Sequence, residues 1–182
     1  MPLALNEEQA MLGDAARAFF TEQQPVKALR ALRDTSDPHG FDRAAWRSMA
    51  ELGWAGVLIP ELHGGSAFGY QGLGQIMEAA GRTLTASPLV ATVLLGAPLV
   101  QAAGSEAQRD DVLPAVARGE RLLALALEEG PRHAPERVGL AATRDGDGWR
   151  LHGAKTFVLD GHVADQLVVV ARTAGAAGER RG

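Results

Sequence analysis

The sequence predicts an α+β chain, helical to about residue 119 and stranded after it. Three observations carry that prediction. Through most of the first 119 residues apolar side chains recur at helical spacing, punctuated by helix-capping patterns. From Glu120 the pattern changes, and Leu122 to Leu127 is a continuous apolar run of strand length. Asp145-Gly146-Asp147-Gly148 then separates two β-rich runs, and its glycines can take the positive φ that a tight hairpin needs.

Taken in order, Asn6 with Gln9 forms an approximate capping box. It opens a helix that carries Leu12, Ala15, Ala16, Phe19 and Phe20 on one side and ends near Gln23, before Pro25. A short helix over Val26 to Arg33 follows, then a polar loop from Asp34 to Gly40. Asp42 is a good N-cap for a helix bearing Ala45, Trp46, Met49 and Ala50, with Gly53 placed to close it in the left-handed region. Trp54 to Pro60 reads as an extended link and Glu61 to Gly69 as an exposed loop. The next helix carries Leu73, Ile76, Met77, Ala80 and Leu84. Ser87-Pro88 starts another, apolar nearly all round to Ala103 and therefore buried, with Pro98 expected to kink it. Ser105 with Gln108 is a second capping box for a helix ending at Gly119. Four strands are expected at about Leu122–Leu127, Val138–Thr143, Trp149–Leu159 and Gln166–Arg172, and their edges have little to cover them.

Composition excludes several classes of function. A net charge of -4 argues against a nucleic-acid surface, which wants a clustered positive field. With no cysteine there is no disulfide, thiolate catalysis or Cys-zinc site. The amino terminus lacks an apolar signal core, so a cytoplasmic protein is the default. The uncharged stretch between Thr83 and Ser105 is interrupted by Pro88, Thr92, Pro98 and Gln101 and is read as a bundle helix, not a membrane span.

Short motifs give little by themselves. His63-Gly64-Gly65 lacks the G-x-S-x-G elbow that would make it an oxyanion loop, and Gly72-x-Gly74 has Met77 where a dinucleotide fingerprint needs its third glycine. The spacing of His133, His152 and His162 does not suit a metal pair, so no metal site is expected. Glu128-Glu129 reads as a pair of solvated carboxylates at a strand end. Lys155, alone among apolar neighbours, suits a strand edge where its ammonium reaches a backbone carbonyl or a carboxylate.

The strings become recognisable when taken together. Leu52-Gly53-Trp54-Ala55-Gly56-Val57 runs to Ile59-Pro60-Glu61, followed by Gly64-Gly65, by Glu78 with Gly81-Arg82, and by Gly119-Glu120. Ala126-Leu127-Glu128-Glu129 and Gly153 to Gly161, with Ala164-Asp165, complete the series. In this order the chain resembles the acyl-CoA dehydrogenase family, most nearly its small-subunit type that includes pimeloyl-CoA dehydrogenase. The resemblance implies a helical amino-terminal domain over residues 1–119. Residues 120–182 would then be a partial β-domain, the first, mostly antiparallel, strands of a barrel-like middle domain, with the carboxy-terminal helical bundle absent from this chain.

By the same resemblance the protein binds FAD and oxidises an acyl-CoA thioester to the 2-enoyl-CoA, a step of fatty acid metabolism. Leu127 and Glu128 would approach the flavin pyrimidine ring, and Phe157, Val158 and Leu159 would run alongside the isoalloxazine. The helical domain would form one wall of the acyl pocket. The family's catalytic base comes from the carboxy-terminal bundle, so no catalytic residue is assigned here and these 182 residues alone are expected to be inactive. The implied partners are the acyl-CoA, an electron-transfer flavoprotein or similar acceptor, and other subunits in a homo- or hetero-oligomer. Departures from the family pattern are Glu128 where Thr is common, Phe157 for Trp, Leu159 for Ser or Thr, and no Gly-Ser-Asp string in Pro131 to Arg137. The changes at Glu128 and Leu159 favour one alternative, a non-catalytic partner subunit of a heteromeric dehydrogenase with a degenerate flavin site. A second alternative is a flavin oxidase or monooxygenase on the same scaffold.

Overall fold

Asn6 caps the first helix as the spacing predicts. Its side chain accepts from the Gln9 N–H at 2.7 Å, and Gln9 Oε1 accepts from the Asn6 N–H at 3.1 Å. This helix, α1 (Glu7–Gln23), opens a helical region in the computed structural model, which describes residues 4–179. It is followed by α2 (Val26–Thr35), α3 (Arg43–Glu51), α4 (Gly69–Arg82), α5 (Ala97–Ala103) and α6 (Glu106–Ala117). Asp42 caps α3 through the N–H groups of Ala44 and Ala45, and Gly53 takes φ 81°, closing that helix as expected. The core between the helices is built on Phe20, Met49, Leu73 and Ile76, all fully buried. Phe19, Phe20 and Trp54 meet at ring separations of 5.2 to 5.4 Å.

Two readings of the helical half are corrected. The segment from Trp54 to Pro60 is not extended, and the loop from Glu61 to Gly69, mostly exposed as expected, is pinned to it. Together they form two 3₁₀ turns, Trp54–Gly56 and Glu61–His63, because Trp54, Val57 and Ile59 bury their side chains. The loop then folds back on them, with the N–H groups of Ser66, Ala67 and Phe68 donating to the carbonyls of Gly56, Ile59 and Val57. The helix expected from Ser87-Pro88 to Ala103 is not α-helical throughout. The chain widens ahead of Pro98 into a π-helical stretch, Leu89–Gly96, and the Ala97 N–H reaches back to Thr92. A proline ring would clash with the carbonyl four residues before it, and the wider turn moves that carbonyl aside.

After Gly119 the chain turns into strands. β1 (Leu123–Ala126) pairs in parallel with β4 (Gln166–Val169), while β2 (Ala141–Asp145) and β3 (Gly148–His152) form an antiparallel hairpin about Gly146-Asp147. A parallel bridge between Ala141 and Arg172 links the two pairs, so no barrel closes among the described residues. The pairing is therefore divided evenly between parallel and antiparallel, where mostly antiparallel strands were expected. The third strand stops at His152 instead of continuing to Leu159, because Gly153 takes φ 147° and turns the chain toward β1. Trp46, on α3, ties the halves together by donating from Nε1 to the Gly119 carbonyl at 3.0 Å. No helix among the described residues is long and apolar enough to cross a membrane.

Phe20 touches both aromatic partners and is fully buried, so Phe20→Ala should lower stability by about 3–5 kcal/mol. Urea unfolding of the two proteins measures it, and a loss below about 1 kcal/mol would show that this cluster does not anchor the helical core.

Candidate functional site

The site is built where β1 ends. In a parallel pair, alternate residues of one strand bond to its neighbour and the others face away. The Asp165 and Gln166 N–H groups donate to the Leu122 carbonyl and the Val170 N–H to that of Ala126, at 2.9 to 3.2 Å. Leu123, Leu125 and Leu127 therefore turn their backbone groups to the opposite edge. There, Leu127 accepts from Lys155 Nζ at 3.0 Å. Among the described residues nothing bonds the N–H or C=O of Leu125 or the N–H of Leu127.

Lys155 holds the second segment against this edge. Its side chain is only 6% exposed and its ammonium also donates to Glu129 Oε1 at 2.7 Å. The expectation that it reaches a carbonyl or a carboxylate is met by both at once. Glu129 further accepts from the N–H groups of Gly139 (2.7 Å) and Leu140 (2.9 Å). Burial alone would raise its carboxyl pKa. The hydrogen bond from Lys155, those from Leu140 and Gly139, and the ammonium charge outweigh burial and hold it at about 2. One step along, the Thr156 N–H donates to the Glu128 carbonyl at 2.7 Å. The two segments singled out in the sequence, Leu127–Glu128 and Phe157–Leu159, are thus adjacent.

Phe157 is a bulky residue at φ 50° with 79% of its surface exposed. An aromatic in the left-handed region carries strain of order 1–3 kcal/mol, and the surroundings here hold it facing outward. Leu159 is exposed beside it, and Val158 is half-buried, its carbonyl accepting from the Gly161 N–H. The N–H groups of Phe157, Val158 and Leu159 have no partner among the described residues. Asp160, also at positive φ, has its carboxyl pKa raised by burial, opposed in part by His162. Glu128 and Glu129 are not the free solvated pair expected: Glu129 belongs to Lys155, and Glu128 lies 2.5 Å from His133 Nδ1.

Chemically, this is an apolar ledge bordered by unsatisfied backbone donors with one acceptor among them. At the β1 edge the order donor, acceptor, donor (Leu125 N–H, Leu125 C=O, Leu127 N–H) complements a planar imide, whose edge runs acceptor, donor, acceptor. The order of these backbone groups matches the pyrimidine end of a flavin. Leu125 is a residue that sequence reasoning missed. Its only signal is its parity along β1, which has meaning once the partner strand is known.

Comparison with known proteins identifies the family. The acyl-CoA dehydrogenase N-terminal domain family matches residues 6–120. The chain belongs to the acyl-CoA dehydrogenase family. It is 32% identical over 173 residues to the mitochondrial isovaleryl-CoA dehydrogenase of Pongo abelii, covering 93% of this chain and 40% of that protein. Among solved structures, a variant of the Tcur3481-Tcur3483 steroid ACAD superposes with a TM-score of 0.83 at 38% identity, over 92% of this chain and 45% of that one. The ChsE4-ChsE5 complex from Mycobacterium tuberculosis superposes with a TM-score of 0.81 at 28% identity, over 97% and 47%. The chain spans less than half the length of these relatives.

The lowered pKa of Glu129 sets a pH dependence. Its contribution to stability is fully present above the ordinary value of 4.5 and is lost as pH falls through about 2. Glu129→Gln should be less stable than the parent at pH 7, by up to about 3 kcal/mol. That difference should shrink between pH 4.5 and 2 when followed by denaturant unfolding; a gap constant across this range would show that the ion pair contributes nothing.

Proposed function

We propose that this chain supplies the helical domain and the start of the β-domain of an FAD-dependent acyl-CoA dehydrogenase. The reaction is the α,β-dehydrogenation of an acyl-CoA thioester to the 2-enoyl-CoA. Support comes chiefly from the open edge of β1 at Leu125 and Leu127, held against the ledge of Phe157, Val158 and Leu159 by Lys155. In this reading the backbone groups of Leu125 and Leu127 hold the pyrimidine end of the flavin, with Glu128 at its border. Phe157 to Leu159 lie along the ring and shield it from water. FAD, when bound, supplies the two-electron acceptor. Backbone donors at the pyrimidine end favour negative charge there, which is the electrostatic contribution this chain makes. The group that takes the α-proton is not among the residues of this site. An electron-transfer flavoprotein or similar acceptor and further subunits complete the system.

Specific observations favour a second reading, a non-catalytic partner subunit. Leu159 has no side-chain donor for the ring, and Glu128 brings a carboxylate, paired with His133, to the electron-rich end of the site. One of the similar structures is a complex, ChsE4-ChsE5.

The visible spectrum of the protein expressed alone from its complete reading frame separates the two. A flavin spectrum that bleaches when an acyl-CoA is added without oxygen is the expected result. Colourless protein that acquires flavin only with a co-expressed second subunit would overturn it in favour of the partner reading.

A further inference from the structure

The open edge of β1 begins at Leu125 because a threonine closes it one step earlier. Thr92 is 1% exposed and lies in the π-helical stretch that packs on β1. Its Oγ1 accepts from the Leu123 N–H at 3.0 Å and donates to the Leu123 carbonyl at 3.1 Å. A hydroxyl carries one donor and two acceptor sites, so one atom satisfies both backbone groups that a neighbouring strand would otherwise take. The approach is close: a Cβ added at Gly96 would stand 2.5 Å from Leu123 Cβ, so a side chain there would push the stretch off the strand. Three groups thus divide the edge of β1. Thr92 occupies Leu123, Lys155 occupies the Leu127 carbonyl, and the Leu125 pair with the Leu127 N–H is left between them.

We propose that Thr92 is a positioning residue for the flavin: by occupying both backbone groups of Leu123 it fixes where the ring-binding edge of β1 starts. The proposal rests on the flavin reading above. Thr92 does not touch the ring and acts through the strand. If its hydroxyl only satisfied two buried groups, its loss would lower stability and leave flavin affinity alone. If it sets the edge, loss lets Leu123 compete for solvent or shift along β4, and the Leu125 and Leu127 groups lose their alignment with the imide.

The test uses the protein from its complete reading frame, titrated with FAD and followed by flavin fluorescence and amide hydrogen exchange. In the parent protein FAD should slow exchange at Leu125 and Leu127 at least tenfold and leave Leu123, already bonded to Thr92, within twofold. Thr92→Val should speed exchange at Leu123 and weaken FAD at least tenfold, and Thr92→Ser should restore both to within twofold of the parent. The proposal is overturned if Thr92→Val speeds exchange at Leu123 while the FAD Kd stays within twofold. It is overturned equally, with no variant needed, if FAD slows Leu123 as much as Leu125. A parent protein that binds no FAD in any titration overturns the flavin reading itself, and this inference with it.

Discussion

A single ammonium group decides where the two halves of the site meet. Lys155 is nearly buried, and it could not remain so without partners, since a desolvated charge must be paired and hydrogen-bonded. It finds the Leu127 carbonyl at the end of β1 and the Glu129 carboxylate just beyond it. Those two bonds fix the segment after β3 against the end of β1, and the Thr156 to Glu128 hydrogen bond follows one residue on. Everything proposed about the site, from the outward Phe157 to the open Leu125 edge, depends on that junction.

The helical half matters because it delivers β1 in a fixed position. The aromatic cluster of α1 and the first 3₁₀ turn forms one end of the core, and Trp46 reaches the Gly119 carbonyl just before β1 begins. On the other flank the π-helical stretch lies close enough for Thr92 to serve as a strand partner for Leu123. In the same widened turn the Thr92 carbonyl accepts from the Ala97 N–H, so this residue is held at both its backbone and its side chain. Packing in the helical domain and backbone chemistry at the strand edge are one continuous arrangement.

Much of this was legible in the sequence, and the reasons differ from element to element. Asn6 with Gln9, Ser105 with Gln108 and Asp42 act through neighbours two or three residues away, so their capping roles could be read from spacing alone. The hairpin at Gly146-Asp147 was legible for the same reason. The π-helical stretch was not, because a hydrophobic run looks alike whether the turn closes on the fourth or the fifth residue. Nor was the parallel pairing of β1 with β4, since its strands are far apart in sequence and their register depends on the chain between. Lys155 could be placed at a strand edge as the one cation in an apolar run, but which carboxylate it takes is a tertiary fact. Leu125 carried only its parity along β1, because its contribution is backbone groups whose direction the neighbouring strand defines.

A crystal structure of the protein from its complete reading frame with FAD tests the central claim most directly. The account predicts the pyrimidine edge of the ring within hydrogen-bonding distance of the Leu125 and Leu127 backbone, Phe157 to Leu159 along the ring, and Lys155 still bridging Leu127 and Glu129. A flavin bound elsewhere on the chain, or one seated there with Lys155 displaced from both partners, would contradict it.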